Sequence, residues 1–232
     1  MSLIPIIFAT TLLGQSSVEI KELKAGMGTP AKSGDVITVS YRGTLSSGKL
    51  FDESKGKAPY SFRIGAGQVI KGWDQGLIGI KKGGKRRLVV PPDLAYGSSA
   101  NGPIPANSTL IFEIEALRIE SPNTVSKVEI RELRKGNGNL VKGTSTVKVH
   151  YTGTFLNGVS FDSSIGSDPL TVAMGQGMVI PGFEEGLLGM REKGRRRVTI
   201  PFRLGYGERG RPPRIPAYCT LVFEFEVISV KG

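Results

Sequence analysis

The chain has 232 residues, of which 39% are hydrophobic and 22% are charged, so its composition favours one large or two ordinary globular domains. One cysteine excludes an internal disulfide framework, and with one histidine it supplies too few ligands for a structural zinc site. Collagen, coiled-coil and polytopic membrane proteins are excluded as well. The formal net charge of +11 permits acidic partners without requiring them.

Residues 1–16 are a candidate signal peptide or N-terminal extension. The apolar run Leu3–Leu13 is too short for a membrane-spanning helix, which needs about 20 residues, but it matches the apolar centre of an export signal. No Lys or Arg precedes the run, and Leu12 with Gly14 is an imperfect cleavage site. A remnant of cloning and an extra edge strand therefore stay open as alternatives. A signal at Met1–Gly14 predicts a periplasmic or extracellular protein, and its absence predicts a cytoplasmic one.

The rest of the sequence is a tandem repeat. SVEIKELKAGMG begins at Ser17 and KVEIRELRKGNG begins at Lys127, an offset of 110 residues. The offset becomes 111 where Ile104 matches Ile215, so one residue has been inserted or lost in a loop. A unit of this length is a domain rather than a solenoid repeat. The predicted domains are residues 17–120 and 127–232, joined by a short polar linker at 121–126 that keeps them close.

Each repeat predicts several strands and one short helix. β-Branched segments bounded by turn residues predict strands at Val36–Tyr41, Arg86–Val90, Leu110–Leu117, Val147–Tyr151, Arg196–Ile200 and Leu221–Val227. Ile70, Trp73 and Leu77 form one apolar stripe over two helical turns, and Ile180, Phe183 and Leu187 repeat it. One short helix against a mostly antiparallel sheet is an α+β design.

Five ordered motifs, present in both repeats, carry a family resemblance. The first repeat contains YRGTL, GKLFDES, GQVIKGWDQGL, PPDLAYG and IPANSTLIFEIE, and the second contains HYTGTF, GVSFDSS, GMVIPGFEEGL, PFRLGYG and IPAYCTLVFEFE. Each unit resembles the FKBP-type peptidyl-prolyl cis–trans isomerases over nearly its whole length. The resemblance implies two tandem FKBP-like domains, each a curved antiparallel sheet wrapped around one short helix, with a substrate pocket between them.

The resemblance also implies two sets of site residues. Catalytic positions would be Tyr41, Phe51, Asp52, Ile70 and Tyr96 in the first domain, and Tyr151, Phe161, Asp162, Ile180 and Tyr206 in the second. Substrate-binding positions would be Tyr60, Val69, Trp73, Ile104 and Phe112, then Leu170, Val179, Phe183, Ile215 and Phe223. Phe183 replaces the indole expected at the pocket floor, and Leu170 replaces an aromatic wall residue. The first domain is therefore expected to be the better catalyst, and core packing explains these two residues equally well.

Isomerisation makes and cleaves no bond, so the site needs no nucleophile, metal or cofactor. An apolar, aromatic-lined slot would favour the twisted amide over the planar one. The Ile70 backbone N–H and the Tyr96 hydroxyl would hold substrate carbonyls, while Asp52 would orient groups around the rotating bond, with Tyr41 as a partner. The alternative function is a chaperone or peptide-binding module with one or both domains catalytically weak.

The implied partners are proline-containing unfolded or flexible protein segments, with macrolide immunosuppressant-type compounds as candidate ligands. Arg209, Arg211 and Arg214 lie in a loop expected to overhang the second pocket, so we hypothesise that this domain prefers acidic clients. No nucleic-acid-reading motif accompanies the basic residues, and no nucleic-acid partner is expected. We expect a monomer without a membrane span.

Other signals fail. Gly79 to Lys85 follow a nucleotide P-loop pattern, but Arg86 stands where Ser or Thr is required and a strand follows instead of a helix. His150 is expected at a solvated or edge position, and Cys219 is expected to be a buried small hydrophobe. The basic clusters are expected to form solvated faces; they are Lys81, Lys82, Lys85, Arg86 and Arg87, then Arg191, Lys193, Arg195, Arg196 and Arg197.

Overall fold

The computed structural model describes residues 16–232, which form two units with the same order of strands and helices. Each unit is a six-stranded antiparallel sheet packed on one short α-helix, as the α+β prediction of two tandem domains requires. The apolar run Leu3–Leu13, for which an export signal is one interpretation, lies outside the described residues.

The first unit orders its strands β1-β5-β6-β2-β3, with β4 pairing the other end of β2. Its elements are β1 (Glu19–Lys24), β2 (Val36–Leu45), β3 (Leu50–Glu53), β4 (Tyr60–Arg63), α1 (Lys71–Gly76), β5 (Lys85–Val90) and β6 (Leu110–Glu120). The central strand β6 alternates as its sequence predicts, because Leu110, Phe112 and Ile114 are buried while Glu113 is exposed.

The second unit repeats this topology. Its strand order is β7-β11-β12-β8-β10, and β9 pairs the other end of β8. Its elements are β7 (Glu129–Arg134), β8 (Thr146–Phe155), β9 (Ser160–Ser163), β10 (Leu170–Ala173), α2 (Pro181–Leu187), β11 (Arg195–Ile200) and β12 (Leu221–Lys231). The duplication seen in the sequence is thus a duplication of a complete sheet and helix.

The strands are more numerous than the sequence predicts. The edge strands β1 and β7 were not predicted, because every residue in them is exposed and their charged residues obscure the apolar positions. Backbone pairing with β5 and β11 holds them in place. The strands β3, β4, β9 and β10 have four residues each, too few to show a period in sequence.

Glycines bring each helix unusually close to its sheet. A Cβ on Gly72 of α1 would lie 2.3 Å from Val90 Cγ1 of β5, and one on Gly182 of α2 would lie 2.3 Å from Ile200 Cγ2 of β11. A larger side chain at these contacts would force the helix or the facing Val90 or Ile200 side chain to move. The close approach buries Trp73 and Leu77 of the predicted helical stripe against the sheet.

The structure corrects the interpretation of the basic clusters as wholly solvated. Arg196 is only 8% exposed, and its Nη1 donates to the carbonyl oxygens of Gly186 and Leu188 at the end of α2. Arg86 makes the equivalent bonds to Gly76 and Ile78 at the end of α1. These guanidinium groups satisfy carbonyls that a helix end leaves without partners, so they stabilise the helix–sheet packing.

The two units contact each other directly. Val36 of the first unit, Phe202 and Tyr218 form a small buried cluster between them. Glu120 at the end of β6 is 9% exposed and accepts hydrogen bonds from Arg118 at 2.7 Å and from Thr220 of the second unit at 3.0 Å. The units are therefore joined by packing and hydrogen bonding in addition to the linker.

The structure also shows where Cys219 and His150, two residues singled out in the sequence, lie. Cys219 is buried and unpaired in the second core, as predicted, and burial raises the pKa of its thiol to about 12. His150 is half-buried on β8, opposite Glu226 of β12, with Nδ1 3.1 Å from Ser164 Oγ. Within residues 16–232, no helix is long and apolar enough to cross a membrane.

Candidate functional site

A cavity of about 270 Å³ opens between α1 and the first sheet. It contains every residue that the sequence resemblance assigned to the first pocket except Ile104. Its lining residues are Tyr41, Phe51, Asp52, Tyr60, Gln68, Val69, Ile70, Trp73, Tyr96 and Phe112. Ile104 is 5% exposed and belongs to the adjoining core instead.

The indole of Trp73 forms the floor of this cavity. It is 5% exposed, and its ring centroid lies 5.2 Å from those of Tyr41 and Phe112, in edge-to-face geometry. Tyr60 approaches it at 6.3 Å from another side. Such edge-to-face pairs stabilise the arrangement by about 0.5–1.5 kcal/mol each beyond simple burial. Phe112 thus serves both the core and the cavity, so the two interpretations of this residue are compatible.

A glycine determines where the Phe51 ring lies. A Cβ on Gly43 of β2 would stand 2.6 Å from Phe51 Cζ and 3.0 Å from Phe112 Cε1. Gly153 has the same relation to Phe161 and Phe223 in the second unit. The missing side chain lets an aromatic ring of the adjacent strand cross β2 or β8 and close one wall of the cavity.

Asp52 is held by three hydrogen-bond donors. Its Oδ2 accepts from the Tyr41 hydroxyl at 2.5 Å, and its Oδ1 accepts from the Glu53 N–H at 2.8 Å and Lys57 Nζ at 3.1 Å. Partial burial raises the pKa of Asp52, but these donors outweigh burial and hold its pKa below the ordinary value. The carboxyl is therefore ionised at neutral pH, and burial together with Asp52 raises the pKa of Tyr41.

Two polar groups are available at the cavity for a ligand. Ile70 precedes the first residue of α1 in an extended conformation, with φ −58° and ψ 147°. Its N–H pairs with no acceptor among the described residues. Tyr96 also lines the cavity and is 40% exposed. Burial and the neighbouring Tyr96 raise the pKa of Tyr60, so that wall stays a neutral phenol.

The second cavity is larger, at about 530 Å³. It contains all ten residues predicted for it, together with Met178 and the loop from Arg211 to Arg214. The predicted residues are Tyr151, Phe161, Asp162, Leu170, Val179, Ile180, Phe183, Tyr206, Ile215 and Phe223. Arg209, which the sequence grouped with the loop arginines, is not part of the lining.

The substitution of Trp by Phe at the floor is accompanied by repacking of the core beneath it. Phe183 lies 4.4 Å from Phe225 and 5.2 Å from Phe223, centroid to centroid. The first unit instead places Phe62 5.7 Å from Trp73. The aromatic ring below the floor therefore comes from β12 in the second unit and from β4 in the first.

The second site keeps the carboxylate–phenol pair but adds positive charge. The Tyr151 hydroxyl donates to Asp162 Oδ2 at 2.9 Å, and burial followed by this bond raises the pKa of Tyr151 to about 12. Arg214 Nη1 lies 3.9 Å from Asp162 Oδ1, and the guanidinium of Arg211 lies 5.9 Å from the centre of the Tyr206 ring. Both arginines therefore face the opening of this cavity.

The structure adds Gln68 and Met178 to the sites. They occupy equivalent positions in the two repeats, one residue before Val69 and Val179 in the GQVIKGW and GMVIPGF motifs. Their equivalent position in the motif could have identified both residues from the sequence. One side chain is polar and the other apolar, so the pair does not suggest a shared role in a pocket.

Comparison with known proteins agrees with this geometry. The model of a family described as FKBP-type peptidyl-prolyl cis-trans isomerase matches residues 28–117 and again residues 138–228. The chain belongs to this family. Domains of this family bind proline-containing substrates in general.

Two curated relatives illustrate the extent of the similarity. Peptidyl-prolyl cis-trans isomerase FKBP9 of Bos taurus is 38% identical over 198 residues, which are 84% of this chain and 34% of that protein. FK506-binding protein 4 of Chaetomium thermophilum is 53% identical over 103 residues, 44% of this chain and 21% of that protein. This chain therefore spans only about a third of the FKBP9 length. Among solved structures, FkpA from Escherichia coli is 46% identical over 45% of this chain and 48% of that chain, with a TM-score of 0.42.

The pKa of Asp52 leads to a prediction about acid stability. Because its folded-state pKa lies below the unfolded value of about 3.9, the ionised group stabilises the folded protein above that pH. This contribution is lost as the pH falls through the folded pKa. In urea titrations, we expect the difference in unfolding free energy between the wild type and Asp52→Asn to be constant near neutral pH and to shrink below about pH 4. A difference that widens in acid contradicts this account.

Proposed function

We propose that this chain is a peptidyl-prolyl cis–trans isomerase that accelerates X–Pro isomerisation in flexible or unfolded protein segments. A peptide bond resists rotation with a barrier of about 18–20 kcal/mol, since rotation breaks amide resonance. Uncatalysed X–Pro bonds therefore isomerise over tens of seconds or longer, slowly enough to limit folding. A site that binds the twisted amide more tightly than the planar forms lowers this barrier.

The observation that carries the proposal is one aromatic cavity built twice, each beside a carboxylate held by a tyrosine. The planar amide is more charge-separated than the twisted one and loses more when water is removed. The apolar walls around Trp73 and Phe112 therefore penalise the planar ground state more than the twisted transition state. The unpaired Ile70 N–H would hold a substrate carbonyl, which fixes one side of the rotating bond.

In this mechanism the side chains bind and orient but exchange no electrons or protons with the substrate. Trp73 would lie under the proline ring, with Phe51 and Tyr60 as walls. The ionised Asp52 would orient donors around the imide, and its bond to Tyr41 keeps it fixed. The first cavity is smaller and has one more aromatic wall, so it desolvates a prolyl group more completely than the second.

We predict that loss of one aromatic wall in each pocket has unequal effects on the isomerase activity. In the full chain, Phe51→Ala is expected to remove more than half of the activity on a proline tetrapeptide, and the matched Phe161→Ala variant less. The double variant is expected to lose about tenfold or more. The measurement is the exchange rate between cis and trans peptide, by NMR. Equal losses contradict the ranking of the two pockets, and full activity in the double variant contradicts the proposed function.

A second candidate function is favoured by the rim of the second cavity. Met178 lines this cavity and is 61% exposed, and an apolar side chain exposed at a cavity suits the binding of unfolded chains. We propose that the second unit also holds client segments, with a preference for acidic ones because Arg211 and Arg214 line its opening. Holding and isomerisation would then be divided between the two units.

The acidic preference is tested by calorimetry in a Phe51→Ala background, which weakens the first pocket. A peptide with Glu beside proline is expected to bind more tightly than its Gln counterpart, and the advantage should fall as salt rises. Arg211→Gln or Arg214→Gln should each reduce the advantage about two- to fivefold. Arg209→Gln is the matched control, since that arginine does not line the cavity. Equal affinity for both peptides at every salt concentration rejects the preference.

A further inference from the structure

The loop from Ser54 to Pro59 connects two residues of the first cavity, Asp52 and Tyr60. One side of this loop is anchored within its own unit, because the Ser54 N–H donates to the Tyr41 carbonyl at 3.0 Å and Ser54 Oγ accepts from the Tyr41 N–H at 2.9 Å. The loop therefore lies between two walls of the cavity and joins the strands that carry them.

The second unit anchors the other side of the same loop. Asn157, in the turn between β8 and β9, donates from Nδ2 to the backbone carbonyl of Lys57 at 2.8 Å. The next residue, Ala58, packs against the core of the second unit. Lys57 in turn donates from Nζ to Asp52 Oδ1 at 3.1 Å. A residue of the second unit is thus two contacts away from the carboxylate of the first site.

A second set of contacts reaches the first cavity at Gln68. Gln68 lines the cavity, and its Oε1 accepts from the Arg63 N–H at 2.8 Å. Arg63 forms an ion pair with Glu208 of the second unit at 2.7 Å, and the Gln68 Nε2 lies 3.5 Å from the Tyr218 hydroxyl. The second unit therefore contacts the first unit at two places next to the first cavity, the loop of Lys57 and the pair of Arg63 and Gln68.

The corresponding positions of the second cavity are different. Lys57 and Gln68 of the first unit correspond to Ser167 and Met178, which are exposed. Within residues 16–232, no hydrogen bond from the first unit reaches the loop that contains Ser167. The contacts between the units are therefore unequal. Residues of the second unit bond to the loop and the rim residues of the first cavity, whereas within the described residues the first unit makes no equivalent hydrogen bond to the loop of the second cavity.

We propose that Asn157 is a positioning residue for the first cavity, acting from the second unit through the backbone of Lys57. Its local bonding fits this role. Asn157 Oδ1 accepts from the Val159 N–H at 3.3 Å, which orients the amide so that Nδ2 is directed to the Lys57 carbonyl. An aspartate at this position keeps the acceptor and loses the donor. The inference rests on the proposed function only for the choice of ligand.

The experiment uses the full chain and its single tryptophan, which lies at the floor of the first cavity and therefore reports on that cavity alone. Trp73 fluorescence is measured with acrylamide as quencher and in titrations with a proline tetrapeptide. Asn157→Asp and Asn157→Ala are compared with Asn139→Asp. In the wild type, Asn139 donates an equivalent bond to the Val230 carbonyl at 3.2 Å, entirely within the second unit. Thermal unfolding monitors the stability of all variants.

Both Asn157 variants are expected to bind the peptide about fivefold more weakly at the first cavity, with a raised KM, a smaller change in kcat and increased quenching of Trp73. Asn139→Asp should leave all of these at wild-type values. Wild-type affinity and quenching in both Asn157 variants overturn the inference, and so does an equal change in Asn139→Asp, which indicates general loosening of the second unit. A wild-type protein that binds no peptide refutes the proposed function instead, and quenching without ligand still tests the role of Asn157.

Discussion

The close contact between each helix and its sheet is the constraint on which both sites depend. Gly72 and Gly182 have no room for a Cβ, because Val90 and Ile200 already occupy that space. At this separation, the floor residue of the helix meets aromatic rings from the central strand, so Trp73 touches Phe112 and Phe183 touches Phe223. If the helix moved away from the sheet by the width of one methyl group, these rings would separate and the cavity floor would open to water.

Divergence between the repeats has changed the sites without changing the scaffold. Both units contain the carboxylate–phenol pair and the arginine that bonds to the helix end. Both also contain the glycine over which an aromatic ring of the adjacent strand lies, Gly43 in the first unit and Gly153 in the second. The differences lie in the floor, one wall and the rims. The first cavity is smaller, has one more aromatic lining residue and is contacted by residues of the second unit, whereas the second cavity is larger and lined by Arg211 and Arg214. The duplication thus preserves the packing and varies the surface that contacts a ligand.

The sequence alone predicts the features that depend on local pattern. The repeat, the helical stripe and the alternation in β6 follow from periodicity and from motifs shared by both copies, and most cavity residues follow from the resemblance of those motifs to the FKBP family. The sequence does not predict features that depend on three-dimensional neighbours. The burial of Arg196 depends on unpaired carbonyls at the end of α2, and the strand at β1 depends on an available edge of β5. The contact of Asn157 with Lys57 joins residues 100 positions apart, and no local pattern marks it.

The central claim is that each cavity binds a prolyl amide better when it is twisted than when it is planar. The most direct test compares two tetrapeptide ligands that differ only in the prolyl linkage, one a planar amide and the other a surrogate held out of plane. Calorimetry on the full chain would give both affinities. The account predicts at least about hundredfold tighter binding of the twisted surrogate, and Phe51→Ala should reduce that advantage. Equal affinities for the two ligands would contradict it.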